Sequence, residues 1–119
     1  MSAQDKPLPL DVLESHFDDQ KDAWVVQDQK SGLYVVAPDP RYPGRHPIRF
    51  FLRPEDAQAF ADEAQRQSER LRSAHLAPHK VKLLPSLRSI AADTDATHAD
   101  SFVVHSPNEM FWWLREQSS

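Results

Sequence analysis

The stretch IRFFLRPEDAQAFADEA, residues 48–64, contains a strand that leads directly into a helix. Its first five residues place apolar side chains alternately on one face, which is the period of a β-strand. Pro54 suits the first position of a helix, and the two acidic residues after it complement the positive end of the helix dipole. Apolar residues then recur at helical spacing as far as Ala74. We therefore predict a strand over 48–52 and a helix from Pro54 to about Ala74.

Upstream of this stretch, two apolar runs predict a β-hairpin. AWVVQDQ (23–29) and LYVVAPD (33–39) are rich in β-branched and aromatic residues, and a turn over 30–32 separates them. Each run is apolar in succession, which is typical of strands that are covered on both faces. We expect a short helix around Asp11 before the hairpin, and a flexible lead over residues 1–7.

Downstream, three shorter segments follow the long helix. HKVKLLP (79–85) alternates between apolar and lysine residues and predicts a fourth strand. SLRSIAA (86–92) predicts a short helix with Ser86 as its cap, and SFVVH (101–105) predicts a fifth strand.

The last segment carries a helix-start signal. In SPNE, Ser106 can act as the N-cap, Pro107 can occupy the first helical position, and Glu109 follows the cap by three residues. This capping-box pattern predicts a C-terminal helix that contains the run MFWWL (110–114).

Together these elements predict an α+β fold in the order α-β-β-β-α-β-α-β-α. A chain of 119 residues is long enough for one domain with its own core, and we assign that domain to residues 8–119. The expected architecture is a mainly antiparallel sheet of about five strands packed against helices.

The composition excludes several classes of protein. With 14 basic and 18 acidic residues the formal charge is −4, which does not provide the basic surface that nucleic-acid binding requires. The chain has no cysteine, so disulfides and thiolate metal sites are excluded. No apolar run reaches the roughly 20 residues of a membrane span, and the N-terminus lacks a basic region followed by an apolar one. We therefore expect a cytoplasmic protein without nucleic-acid or membrane partners.

No pattern typical of catalysis or of a metal site is present. His75 and His79 are four residues apart, but Pro78 lies between them and prevents one helical face from presenting both. The chain contains no GxSxG sequence, and its only glycines, Gly32 and Gly44, cannot form a phosphate-binding loop. We predict a non-enzymatic protein without a metal or another cofactor.

One local cluster of basic residues could bind an anion. Within RYPGRHPIRFFLR, residues 41–53, no acidic residue interrupts the basic ones, of which the candidate anion ligands are Arg41, Arg45, His46 and Arg49. The alternative is that these side chains pair with acids of the long helix or keep an edge strand soluble.

The terminal aromatic run suggests a second kind of contact. Five consecutive large apolar residues cannot all face one core from one side of a helix, so some must cover another surface. Either the helix is buried on two sides, or an aromatic residue anchors a protein interface, where tryptophan and tyrosine dominate affinity. The candidate contacts are Trp112 and Trp113, together with the strand residues Tyr34 and Phe51.

The order of four segments resembles a known family. AWVVQDQKSGLYVV, IRFFLRPEDAQAFADEA, VKLLPSLRSI and SFVVHSPNEMFWWL follow one another between Ala23 and Leu114. This order is similar to one repeat of the Tic-twenty-two-like family, import-associated proteins of plastids and cyanobacteria. In that family a phrase like FF-x-x-x-EDA opens the long helix, one like V-x-x-x-P-x-L ends the next strand, and a strand with a Pro-led helix closes the unit. The matching residues here are Phe50, Phe51, Glu55, Asp56, Ala57, Val81, Pro85, Leu87 and Pro107.

The resemblance implies a non-enzymatic module that contacts other polypeptides. With the aromatic run, it leads us to expect a small protein-binding or assembly module that can self-associate through its C-terminal segment. The alternative function is binding of a small anion or acidic ligand through residues 41–53.

Overall fold

The computed structural model describes residues 7–37, 39–94 and 98–115. Its elements, in chain order, are α1 (Leu10–His16), β1 (Asp22–Asp28), β2 (Ile48–Phe51), α2 (Pro54–Gln67), α3 (Glu69–Arg72), β3 (Leu76–Lys82), α4 (Leu83–Ala91), β4 (Ser101–His105) and β5 (Met110–Leu114).

The strands form one sheet in the order β3-β1-β2-β4-β5. β2 and β4 run parallel, and the other neighbouring pairs are antiparallel. The α+β fold with a mainly antiparallel five-stranded sheet is therefore confirmed.

Apolar layers cover both faces of the sheet. On one face, which we call the α4 face, strand residues pack against α1 and α4, with Leu13 and Leu87 fully buried. On the opposite face, the α2 face, Phe51 and Val26 pack against Ala57 and Ala61 of α2. Because both faces are covered, all four residues of β2 are buried, Arg49 among them.

The prediction of a continuous second strand in the hairpin is wrong. Residues 33–36 make only two isolated bridges, Gln27 with Tyr34 and Val36 with Ile48. β1 and β2 are paired at Trp24 and Phe51 and diverge beyond them, so the segment lies between the two strands. The predicted turn before it is present, since the Gly32 N–H donates to the Asp28 carbonyl at 2.8 Å.

The long helix is shorter than predicted. α2 ends at Gln67, Ser68 is extended, and α3 continues for four residues. The Gln65 side chain stabilises this arrangement, because its Nε2 donates to the carbonyls of Leu71 at 3.1 Å and Ala74 at 2.8 Å.

The next strand and helix are displaced toward the N-terminus. β3 ends at Lys82, and α4 begins at Leu83 rather than at Ser86. Pro85 is compatible with the first turn of α4, where backbone N–H groups have no helical partner. Ser86 does not cap the helix, since its Oγ donates to the Lys82 carbonyl at 2.8 Å.

The predicted C-terminal helix is wrong, because Met110–Leu114 form the edge strand β5. The Ser106 N–H donates to the Glu109 carbonyl at 2.9 Å, so residues 106–109 form the turn of a hairpin. Proline and asparagine at its tip suit a turn as well as a helix start. β5 pairs along its whole length with β4, and this pairing outweighs the local capping signal.

The N-terminal segment lies beside β5. Pro7 bridges Trp112 in parallel, and the Leu8 N–H donates to the Trp112 carbonyl at 2.8 Å. The predicted flexible lead falls on residues 1–6, which lie outside the described part of the chain, and on Pro7, which is paired.

Candidate functional site

The divergence of β1 and β2 creates a groove on the α4 face. Residues 33–35 hydrogen-bond to β1, with the Asp28 N–H donating to the Leu33 carbonyl at 2.9 Å and the Val35 N–H to the Val26 carbonyl at 2.9 Å. The segment therefore forms one wall of the groove, and α4 forms the facing wall.

A tight turn positions that wall. Gly32 has a φ of 75°, a left-handed conformation that favours glycine. The Asp28 carboxylate accepts hydrogen bonds from the Lys30 N–H at 3.0 Å and the Ser31 hydroxyl at 3.1 Å. The Lys30 N–H is the main reason that the pKa of Asp28 lies below its usual value. The charged carboxylate thus stabilises the turn that directs Leu33 and Tyr34 toward the groove.

We call this feature the α4 groove. Its volume is about 610 Å³, within the range of sites that hold ligands or peptide segments. The floor consists of the buried side chains of Ile48, Phe50 and Ile90. The residues that line it are Gln27, Gly32, Leu33, Tyr34, Ile48, Phe50, Val81, Lys82, Pro85, Ser86, Ser89 and Ile90.

The polar groups of the α4 groove have partners within the chain. Gln27 Nε2 donates to the Gly32 carbonyl at 3.1 Å, and Ser89 Oγ lies 3.1 Å from Thr94 Oγ1. Lys82 is the single charged residue among those that line the groove, and its Nζ donates to Asp22 Oδ1 at 2.9 Å. The groove therefore favours an uncharged, apolar occupant.

Leu33 stands at the rim of the groove with 69% of its surface exposed. Val36, three residues further along the same wall segment, is 45% exposed. Contact with an apolar partner would remove this surface from water, which is favourable.

The predicted partner contacts lie in different environments. Tyr34 is partly buried and lines the α4 groove. Phe51 is buried on the α2 face, where it packs against Phe60 with ring centroids 5.5 Å apart. In this fold Phe51 is a core residue and offers no surface to a partner.

Trp112 and Trp113 point to opposite faces of β5. Trp112 is fully buried, with its ring centroid 4.7 Å from that of Tyr42. Trp113 is partly buried on the α4 face and stacks on Phe102 at 5.1 Å. The Arg115 guanidinium lies 5.4 Å from the Trp113 ring, so Trp113 is the one of the pair that reaches the surface.

Arg49 and Arg41 share one carboxylate. Arg49 Nη2 lies 3.2 Å from Asp39 Oδ2, and Arg41 Nη1 lies 3.4 Å from the same oxygen. Burial by itself would raise the pKa of Asp39, but the Arg41 N–H and the Arg49 guanidinium outweigh it, and the pKa is lowered. The carboxylate that pairs with both arginines thus comes from the loop before β2 rather than from the long helix.

Arg45 and His46 contact the start of β4. Arg45 Nη1 donates to the carbonyls of Asp100 and Arg115, both at 2.9 Å. The His46 N–H donates to Asp100 Oδ1 at 3.4 Å. These contacts give the basic segment a structural role, and its binding of an anion stays a prediction.

The groove cannot be recognised from the sequence alone. Its floor residues Ile48 and Phe50 appeared only as strand positions, and Leu33 and Ile90 carried no functional signal. The one available indication was the uninterrupted apolar run 33–36. An interior strand would bury all of these side chains, whereas the irregular segment seen here leaves Leu33 and Val36 exposed.

Two further findings apply to residues 7–37, 39–94 and 98–115. No group of three or more histidine, aspartate or glutamate side chains is placed to hold a metal ion. No helix in these ranges is long and apolar enough to cross a membrane.

No protein-family model and no curated protein sequence matches this chain. Among solved structures, the fold is similar to that of Anabaena Tic22, described as a protein of protein transport, with a TM-score of 0.51 and 20% identity over 82% of this chain. The match covers 47% of the Tic22 chain, so this chain spans about half the length of that protein. At this identity the similarity concerns the fold, and the family resemblance seen in the sequence is confirmed at that level only.

Proposed function

We propose that this chain binds other polypeptides by holding an apolar segment in the α4 groove. The observation that carries the proposal is the exposed Leu33 beside an apolar floor of buried side chains from β2 and α4. Burial of an exposed leucine side chain stabilises a complex by about 1.5–3 kcal/mol. The Tic22-like fold supports the same role, because that protein is described as one of protein transport.

The chemistry of the groove favours a peptide segment without charged side chains. Its hydroxyl and amide groups are engaged within the chain, and an incoming charge would be desolvated without a partner. Tyr34 adds an aromatic surface of the kind that anchors interfaces.

A labelled peptide tests the proposal. The probe is a fluorescent peptide with a leucine, valine and phenylalanine segment between charged ends, and binding is measured by fluorescence anisotropy. Leu33→Asp should weaken binding about tenfold, since it replaces apolar contact with a charge.

Val12→Asp provides the matched control. Val12 is also exposed, at 36%, but lies on α1 away from the groove-lining residues. Equal binding by the wild type and both variants, or no binding by any of them, would refute the proposed site.

Self-association is a form of the same proposed role. Sedimentation across a dilution series measures it with the chain alone. A dimer that Leu33→Asp dissociates would assign the groove to a second copy, whereas a monomer at every concentration would leave the groove for other polypeptides.

A further inference from the structure

His105, at the end of β4, contacts a permanently charged group. Its Nε2 lies 3.2 Å from Arg49 Nη1, and its ring stacks on Phe51 with centroids 4.6 Å apart and an angle of 11°. A guanidinium can only donate hydrogen bonds, so Nε2 must accept, and the imidazole carries its proton on Nδ1. The contact therefore requires neutral His105.

Arg49 is enclosed and is held in place by two contacts besides the one with His105. Its side chain is 9% exposed, its Nη2 pairs with Asp39, and its guanidinium lies 5.4 Å from the Phe60 ring. Because arginine stays protonated and this one is enclosed, Arg49 cannot withdraw from His105 without breaking the ion pair. A change of protonation must be accommodated by His105.

We propose that His105 is a pH-sensitive switch whose protonation at Nε2 moves its ring off Phe51 and opens the cleft beside the turn 106–109. Protonated Nε2 would present an N–H to the N–H of Arg49 at 3.2 Å, together with a second positive charge. The contact then breaks, and His105 moves away from Arg49.

The charged groups around His105 determine the pH range of the switch. Burial is the main factor that lowers the pKa of His105 to about 4, and Arg49 and Arg41 lower it further. Asp39 of the preceding loop and Asp56 of α2 act in the opposite direction. Glu109, on the turn itself, lines the same cleft as His105. Protonation thus begins below the usual histidine range and is half complete near pH 4.

The turn borders a second cleft that the switch would enlarge. This cleft, of about 340 Å³, is lined by Arg41, His105 and residues 106–110. Departure of the imidazole also uncovers the Phe51 ring on which it stacks. An apolar surface buried at neutral pH would therefore become accessible in acid.

Two measurements on the whole chain test the switch. Ring NMR follows His105 protonation, with the resonance assigned by its loss in His105→Gln. Amide hydrogen exchange, corrected for the intrinsic rate, follows opening. In the wild type, protection of the Ser106 amide, which donates to the Glu109 carbonyl, should fall about tenfold as the ring titrates, while α4 stays protected.

His105→Gln provides the matched control, because its amide oxygen accepts from Arg49 and does not titrate. In this variant, protection of the Ser106 amide should stay constant over the pH range in which the wild-type His105 ring titrates. Three results would overturn the proposal: a His105 ring that titrates near 6.5, equal loss of protection in α4, or the same acid opening in His105→Gln. The loss of protection in α4 is read from the wild type alone, so this outcome does not depend on the variant folding.

Discussion

The two faces of β2 lead to opposite kinds of site. Ile48 and Phe50 point to the α4 groove, which is apolar and open, whereas Arg49 and Phe51 point to a charged and buried cluster with Asp39 and His105. In the groove, polar groups are satisfied internally and apolar surface remains for a partner. In the cluster, the guanidiniums of Arg49 and Arg41 already pair with the Asp39 carboxylate within the chain. Basic residues close together in sequence can thus pair within the chain, so their clustering does not by itself indicate an anion site.

The largest effect should come from breaking the buried ion pair. Arg49→Met leaves Asp39, whose side chain is 7% exposed, without its enclosed partner, and should lower the free energy of unfolding by about 3–5 kcal/mol. Urea denaturation monitored by tryptophan fluorescence measures the change.

Arg53→Met is the matched control on the surface. Its pair with Asp56 is solvent-exposed, so the loss should be about 1 kcal/mol or less. Equal losses in the two variants would show that burial does not distinguish the cluster from a surface pair.

The next largest effect should be the acid dependence of stability. Because the pKa of His105 falls from 6.5 to about 4 on folding, the unfolded chain binds the proton more readily. Neutral His105 therefore contributes its full stabilisation of the fold above pH 6.5. As the pH falls toward 4, the free energy of unfolding decreases progressively, by about 3 kcal/mol at most.

His105→Gln removes this contribution while other acid-sensitive groups remain. The difference between the wild type and the variant in urea unfolding should therefore change across the interval from pH 6.5 to 4. A constant difference over that interval would contradict the assignment to His105.

A smaller effect is expected at the turn of the groove wall. Gly32→Ala forces a side chain into a positive φ and should cost about 1 kcal/mol, although no atom lies within 4 Å of the added Cβ. Thermal unfolding measures the loss. Lys30→Ala, in the same turn, is the comparison, because it keeps the backbone N–H that donates to Asp28. If Gly32→Ala leaves thermal stability unchanged, the turn relaxes to accept the side chain, and its backbone does not fix the groove wall.

The smallest effect should be on stability at the groove rim. Leu33→Asp should change the free energy of unfolding by about 0.5 kcal/mol or less, because the side chain is 69% exposed. The same variant should weaken peptide binding about tenfold. A large loss of stability would indicate that Leu33 belongs to the core.

Much of the fold could be predicted because its signals are local. The proline and two acids at the start of α2, and the short apolar strands β2 and β4, follow from the residues themselves. The candidate site could not be predicted in the same way. Its floor residues look like ordinary core, and only the divergence of β1 and β2 leaves them open on one side.

The sequence by itself determined the α+β class, the start of α2 and the turn at Gly32, since proline, acidic first turns and glycine act through nearby backbone atoms. Tertiary structure decided the conformation of Met110–Leu114. SPNE suits a helix start and a hairpin turn equally, and pairing with β4, stacking of Trp113 on Phe102 and the bridge from Pro7 to Trp112 selected the strand. As a strand, the run places Trp112 and Trp113 on opposite faces, each against a different part of the core, which no single helical face could achieve.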